Sequence, residues 1–185
     1  MKSLYTTLAM AALFSTSLAA QTCKTESIEA TQPNGHFLDN KDGTVTDIVN
    51  GLLWSKCSFG QTYQDGNCVG TPTNISSWQA ALKIADENSS QFNVDGWRLP
   101  NIKELGILVE RMCVEPAINL YAFPSTPSAA YWSNTPDAHN LTSLGNVEGL
   151  IVDFSDGSEF LTDVNTHRLI RFVKGVLGIF PSKKT

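Results

Sequence analysis

Two places in this chain gather side chains that could do chemistry. Asp153, Ser155, Asp156 and Glu159 crowd three carboxylates and a hydroxyl around the turn signal Ser155-Asp156-Gly157. Paired carboxylates can trade protons or hold a cation; the plainer alternative is a solvated hairpin tip. Tyr131 and Trp132 stand beside Ser133, Asn134 and Thr135. Ring faces mixed with hydrogen-bonding groups suit a sugar or a peptide, although a core role is the favoured reading for Trp132. Tyr131, Trp132, Asn134, Asp153, Ser155, Asp156 and Glu159 are therefore the candidate ligand-binding residues.

A third segment, Asp39 to Asp47, superficially suggests a calcium loop. It fails the EF-hand pattern, and Lys41 occupies a ligand position where it would oppose a cation. A hairpin turn whose Asp and Asn side chains bond their own backbone is the better reading. No metal is assigned and no cofactor is expected. Ser, His and Asp all occur, but no nucleophile elbow, Walker-type or dinucleotide glycine pattern does. No catalytic residue is assigned, and the chain is not expected to be an enzyme.

The four cysteines, Cys23, Cys57, Cys68 and Cys113, bear on compartment. They lack C-x-x-C spacing, and His36, His139 and His167 are isolated, so zinc is a poor reading. An even count in an exported chain reads as two disulfides, with three pairings open. Cys57 and Cys68 bracket a Gly-containing polar stretch that could close on itself. We expect Cys57–Cys68, leaving Cys23–Cys113 to tie the N-terminal arm to the body.

Export itself is read from the N-terminus. Lys2 precedes an apolar run to Phe14, then Ser15 to Ser17, then Ala19 and Ala20 as cleavage positions. This is the three-part pattern of a secretory signal peptide, and the run is too short and too broken for a membrane span. Residues 1–20 are thus read as leader, 21–36 as a polar arm and 37–185 as one domain. Losing Lys2, the one charged residue of the leader, turns the net charge of −5 into −6. That balance argues against a nucleic-acid partner. At 42% hydrophobic and 17% charged, the chain is too apolar to be disordered.

The elements that must position these side chains are β, then helical, then β again. Thr44 to Val49 and Leu52 to Ser55 flank Asn50-Gly51, a strong hairpin signal. Ile75, Trp78, Ala81, Leu82 and Ala85 recur at helical spacing over 74–88, with Asn74 or Ser76 available as cap. Ile102, Leu105, Leu108, Val109 and Met112 make a second helical face over 101–113. Asn101 with Glu104 forms a capping-box pattern there, and Gly106 suggests close packing. Trp54, Trp78 and Trp97 are expected in the core. Strands are expected at 130–133, 146–154, 158–164 and 169–173. Segregated elements argue for an α+β fold in one domain.

In chain order, several segments resemble one bacterial family. They include Asp42-Gly43-Thr44-Val45-Thr46-Asp47, Gly51-Leu52-Leu53-Trp54, Trp78-Gln79-Ala80-Ala81 and Gly96-Trp97-Arg98-Leu99-Pro100-Asn101-Ile102-Lys103-Glu104-Leu105. Phe123-Pro124, Tyr131-Trp132-Ser133, Val152-Asp153-Phe154-Ser155-Asp156-Gly157 and Arg171-Phe172-Val173-Lys174-Gly175 follow. The resemblance, over about 37–175, is to the Lcl C-terminal domain family, named from bacterial collagen-like adhesins. The segment from Trp97 to Leu105 also resembles formylglycine-generating enzymes and retroelement-diversified variable proteins. It implies a C-type-lectin-like fold, with two helices packed on small twisted antiparallel sheets, in which Arg98 pairs a carboxylate such as Glu104.

Two departures limit what carries over. Phe172 stands where many members have Cys, and collagen Gly-X-Y repeats are absent. The adhesin prototype is implied to trimerise, which leaves a homo-oligomer open here. It is also implied to bind sulfated polysaccharides, but a charge of −6 with basic clustering only at Lys183-Lys184 opposes a polyanion site. The expectation is an exported, disulfide-stabilised binding or adhesion module. It would engage a glycan or an envelope or surface protein, in the periplasm or outside the cell, through loops near 132–144 and the 153–159 hairpin. A structural subunit of an envelope or appendage assembly is the alternative, with Val176 to Phe180 as its interface. An enzyme related to the formylglycine generators ranks last, since their paired cysteines have no counterpart near the C-terminus.

Overall fold

A computed structural model describes residues 20–90, 95–137 and 147–175. The proposed leader up to residue 19, most of the polar loop 135–146 and the run 176–180 lie outside the described residues. The fold is α+β, built mostly from small antiparallel sheets with two helices and two disulfides.

The first β block runs through β2 (Phe37–Asp39), β3 (Thr44–Asp47) and β4 (Leu52–Ser55), after a short β1 (Thr22–Cys23). The loop joining β3 to β4 is Ile48 to Gly51, four residues rather than the two-residue Asn-Gly turn expected. Asp47 causes the difference: it ends the strand by accepting from the Val49 and Asn50 backbone N–H groups. The segment that superficially suggests a calcium loop is the β2–β3 hairpin, as its better reading has it. There Asp42 accepts from Thr44, and Asp39 accepts from the Lys41 N–H. β5 (Thr62–Gln64) and β6 (Asn67–Val69) form a hairpin inside the Cys57–Cys68 loop. Its two-residue turn, Asp65-Gly66, has φ of 48° and 88°, the mirror-image turn that fits the twist of a hairpin.

α1 (Trp78–Glu87) is capped by Ser77, not by Asn74 or Ser76. Ile75 is held in an antiparallel bridge with Arg168, so the helix cannot begin before Ser77. α2 (Ile102–Ile107) has the expected capping box between Asn101 and Glu104. It is shorter than its periodicity predicts. Val109 bridges Ile118 and Cys113 enters β7 (Cys113–Val114), which pairs with β1, so extended pairing takes over the second half of the apolar stripe.

The last block is β8 (Ala130–Pro136), β9 (Glu148–Asp153) and β10 (Ser158–Asp163), a sheet of order β10-β9-β8. β11 (Val173–Gly175) leaves it and joins the first sheet, giving the order β11-β4-β3-β2. The expected strand 169–173 is therefore a strap between sheets. Leu169 bridges Tyr131, and Val173 pairs with both Trp54 and Arg98.

The β8–β9 sheet separates two cores. Tyr131, Val152 and Phe154 face a cluster with Trp54, Leu105, Leu108 and Phe123. Trp132 and Ile151 face a second cluster with Ala81, Trp97, Ile170 and Phe172. Burying large apolar side chains on both faces of one sheet supplies the main driving force here, about 1.5–3 kcal/mol for each. Trp78 packs at the rim of the second cluster and donates its indole N–H to the Ser133 carbonyl. The arm at 21–32 is docked rather than free. Cys23 is bonded to Cys113, and Glu110 accepts from the Thr31 and Gln32 N–H groups.

Candidate functional site

The strap from His167 to Leu169 is stitched by backbone hydrogen bonds to Ile75 on one side and to Ala130 and Trp132 on the other. This fixes the His167 and Arg168 side chains beside the β9–β10 hairpin. An open groove of about 580 Å³ lies there, lined by His167, Arg168, Asp153, Phe160, Asn74 and Pro72 among others. Phe160, on the edge strand β10, is 41% exposed. Arg168 donates to the His167 carbonyl and to the Thr162 hydroxyl, while its Nε is buried with no protein partner. The groove thus offers an aromatic ring, a guanidinium, an imidazole and one carboxylate around a mainly apolar floor. Such a surface can bind an amphipathic ligand.

The residues singled out from sequence do not fall in one place. Asp153 lines the groove and accepts from the Ser155 N–H at 2.8 Å. Ser155 and Asp156 form the turn below it. The Ser155 carbonyl accepts from Glu115, and the Asp156 carboxylate accepts from the Ser158 N–H. That bond and one from the Ser158 side chain hold Asp156 below the usual carboxylate range. Glu159 points the other way, with its carboxylate over Gly106 of α2, where an added Cβ would stand 2.6 Å from Oε1. Asn134 sits on the far side, donating to the Leu99 carbonyl beside Arg98.

Tyr131 and Trp132 are wholly buried, one in each core. The Tyr131 hydroxyl is 2.5 Å from the Ser58 hydroxyl, and burial pushes the phenol upward. Neither ring presents a face to the groove, because β8 is covered on both sides. The groove residues that sequence reasoning missed, Phe160 and the adjacent pair His167 and Arg168, come from β10 and from the strap. The Ile75–Arg168 and Tyr131–Leu169 bridges hold the strap in the groove wall, while β9 pairing places Phe160, and no local pattern announces such bridges.

Arg98 pairs Glu104 through two bonds of 2.7 Å, as the resemblance implied. Partial burial pushes the Glu104 carboxyl up, but the Arg98 bonds and the Asn101 N–H bring it below its ordinary value.

Among the described residues no group of His, Cys, Asp and Glu could hold a metal ion, and no helix is long and apolar enough to cross a membrane.

Taken together, these features define a disulfide-stapled α+β module whose accessible chemistry lies in an open groove. The model of the Lcl C-terminal domain matches residues 43–174, and the chain belongs to that family. None of the curated proteins searched matches the chain.

Proposed function

We propose that the chain is an exported, non-enzymatic binding module of C-type-lectin-like architecture. It holds a glycan or protein ligand in the groove beside the β9–β10 hairpin, at the cell envelope or outside the cell. The observation that carries this reading is the half-exposed Phe160 ring standing by Arg168 and His167 on a backbone fixed from both sides. A rigid scaffold that offers aromatic and hydrogen-bonding groups in a groove needs little ordering on binding. Two disulfides support an oxidising compartment. Asp153 and Asp156 accept from backbone N–H groups within the 153–159 turn, which favours a structural over a proton-transfer role for them. The fold reading draws on the Trp97–Leu105 segment and on two helices beside small antiparallel sheets.

A glycan array and an envelope-protein overlay, each run with the chain and with Phe160→Ala, test the proposal. Loss of the signal in the variant supports the groove. Signals indifferent to Phe160→Ala, or silence in both assays, overturn it. Turnover of a cysteine-containing sulfatase-motif peptide would overturn the non-enzymatic part.

A further inference from the structure

The sheet of β8, β9 and β10 has one closed edge and one open edge. Beyond β8 the strap closes it, with the Trp132 N–H donating to the Leu169 carbonyl and the Leu169 N–H to the Ala130 carbonyl. β10 has no strand on its outer side. Its pairing fixes which groups it shows there. The Val164 N–H donates to the Val147 carbonyl, and residues facing each other in antiparallel strands alternate between bonded and non-bonded pairs. Continuing that register, Thr162, Phe160 and Ser158 bond to β9, while Glu159, Leu161 and Asp163 turn their backbone groups outward. Thr166 takes the Asp163 carbonyl. The N–H groups of Glu159, Leu161 and Asp163 and the carbonyls of Glu159 and Leu161 have no partner among the described residues.

Edge strands are commonly blunted by proline, lysine or a bulge. β10 has none of these. It pairs with β9 over its six residues without a shift, whereas the β8–β9 register shifts between Trp132 and Pro136. Phe160 and Leu161 follow one another on it, face opposite sides and are each 41% exposed. A sugar hydroxyl can meet one outward group at a time. Only an extended chain matches N–H and C=O groups that repeat at every second residue.

Charge narrows the chain that would fit. Glu159, Leu161 and Asp163 share the face toward α2, where the Glu159 carboxylate stands over Gly106. Glu148 lies directly opposite Asp163 on β9. None of Glu148, Glu159 and Asp163 takes part in an ion pair among the described residues. Like charges opposite one another across strands are unfavourable, and cations on an added strand relieve them. A second copy of β10 would bring the same acids to the edge again. Resting on the reading that the ligand is held beside the β9–β10 hairpin, we propose that this ligand is a protein whose extended basic segment adds to β10 as an outer strand. Its Lys or Arg side chains face Glu159 and Asp163, and its alternate apolar side chains lie beside Phe160 at the groove.

The probe is the capped peptide Lys-Val-Ile-Val-Lys-Thr, whose lysines would stand opposite Asp163 and Glu159 and whose isoleucine would stand opposite Leu161. NMR titration of the purified chain should slow amide hydrogen exchange at Glu159, Leu161 and Asp163. The same peptide with glutamate in place of lysine, or N-methylated at its isoleucine, should bind about tenfold more weakly or worse. Leu161→Pro removes an outward N–H without breaking a bond to β9, and it should weaken binding about tenfold or more. Glu159→Lys, at an exposed side chain, should do the same. Unchanged exchange at those amides, equal binding of either control peptide, or indifference to both variants overturns the added strand. Dimers of the chain that Leu161→Pro disperses overturn the choice of a basic partner. A glycan-array signal lost in Phe160→Ala but kept in Leu161→Pro overturns this proposal and leaves the groove reading standing. Peptide binding as expected, with array and overlay indifferent to Phe160→Ala, supports the added strand and overturns the groove.

Discussion

The ammonium nitrogen of Lys56 lies 2.7 Å from Oδ2 of Asp39, with the lysine almost wholly out of water and the carboxylate partly in it. Lys56 thus crosses from β4 to β2 beneath the turn that looked like a calcium loop. A lysine side chain, not a metal, neutralises the acid there, and the exposed Lys41 ammonium adds a second contact at 2.9 Å.

This pair sets a pH dependence. Burial pushes Asp39 up, but bonds from Lys56 and Lys41 outweigh it and lower the carboxyl from 3.8 to about 2. A depressed carboxyl stabilises the fold fully above its unfolded value and loses that contribution as pH falls through its folded value. The window is therefore about pH 4 down to about pH 2, and the contribution is on the order of 2 kcal/mol. Urea midpoints measured across that window should fall steeply, and Asp39→Asn should flatten the slope. Asp39→Asn should itself cost about 3 kcal/mol at pH 7, because it leaves a buried cation unpaired. Adding Lys56→Met should recover part of the loss; a double variant no more stable than the single one would contradict the pairing.

Gly60 has φ +92°, and a Cβ built there would stand 2.2 Å from the Thr73 hydroxyl oxygen and 2.6 Å from the Thr73 backbone nitrogen. That nitrogen donates to the Phe59 carbonyl, and Thr71 and Pro72, just before it in the chain, stand in the groove wall. Gly60→Ala should cost about 2–4 kcal/mol, combining left-handed backbone strain with overpacking. Thermal unfolding reads the loss. Ligand affinity in the Phe160 groove should weaken as well, since the wall must shift.

The two disulfides should contribute unequally. Cys57–Cys68 spans 11 positions and Cys23–Cys113 spans 90. Constraining the unfolded chain is then worth about 3 kcal/mol for the first and about 4.5 kcal/mol for the second in the chain-entropy model. The paired Cys→Ala variants should rank in that order by urea denaturation. Loss of Cys23–Cys113 should also free the arm that carries Gln32.

What could be read from the residues depended on how local the cause was. The Asn101–Glu104 box acts over three positions, so its spacing shows in the sequence, whereas the Arg98–Glu104 pair was implied by the family resemblance. The disulfide pairing followed from loop length and elimination. Trp132 is buried, as its core reading has it, but Tyr131 is buried too, although neighbouring strand residues usually face opposite sides, one of them wet. Here β8 has a core on each side, a fact set by helices and a strap distant in sequence. The end of α2 was hidden for the same reason: its apolar spacing continues, but pairing of Val109 with Ile118 outbids helix propensity. The groove was illegible because its lining comes from segments spread over residues 71–169.

Glu104 performs two tasks that substitution can separate. Its carboxylate accepts from the Asn101 N–H, closing the capping box at the start of α2, and it also grips Arg98 through two bonds. Glu104→Gln keeps an acceptor for the Asn101 N–H but gives up the charge and the bidentate geometry. Because Arg98 is partly exposed, solvent screens the pair, and the loss should be about 0.5–1 kcal/mol. Glu104→Ala removes both functions and should cost about 1–2 kcal/mol more, the usual scale of a lost cap together with an unpaired guanidinium. Arg98→Met in the wild-type background should resemble Glu104→Gln, and Arg98→Met with Glu104→Gln should cost less than the sum of the two. Urea unfolding of the four variants checks the ranking. Equal losses for Glu104→Gln and Glu104→Ala would mean that the ion pair, and not the cap, carries the contribution of this residue.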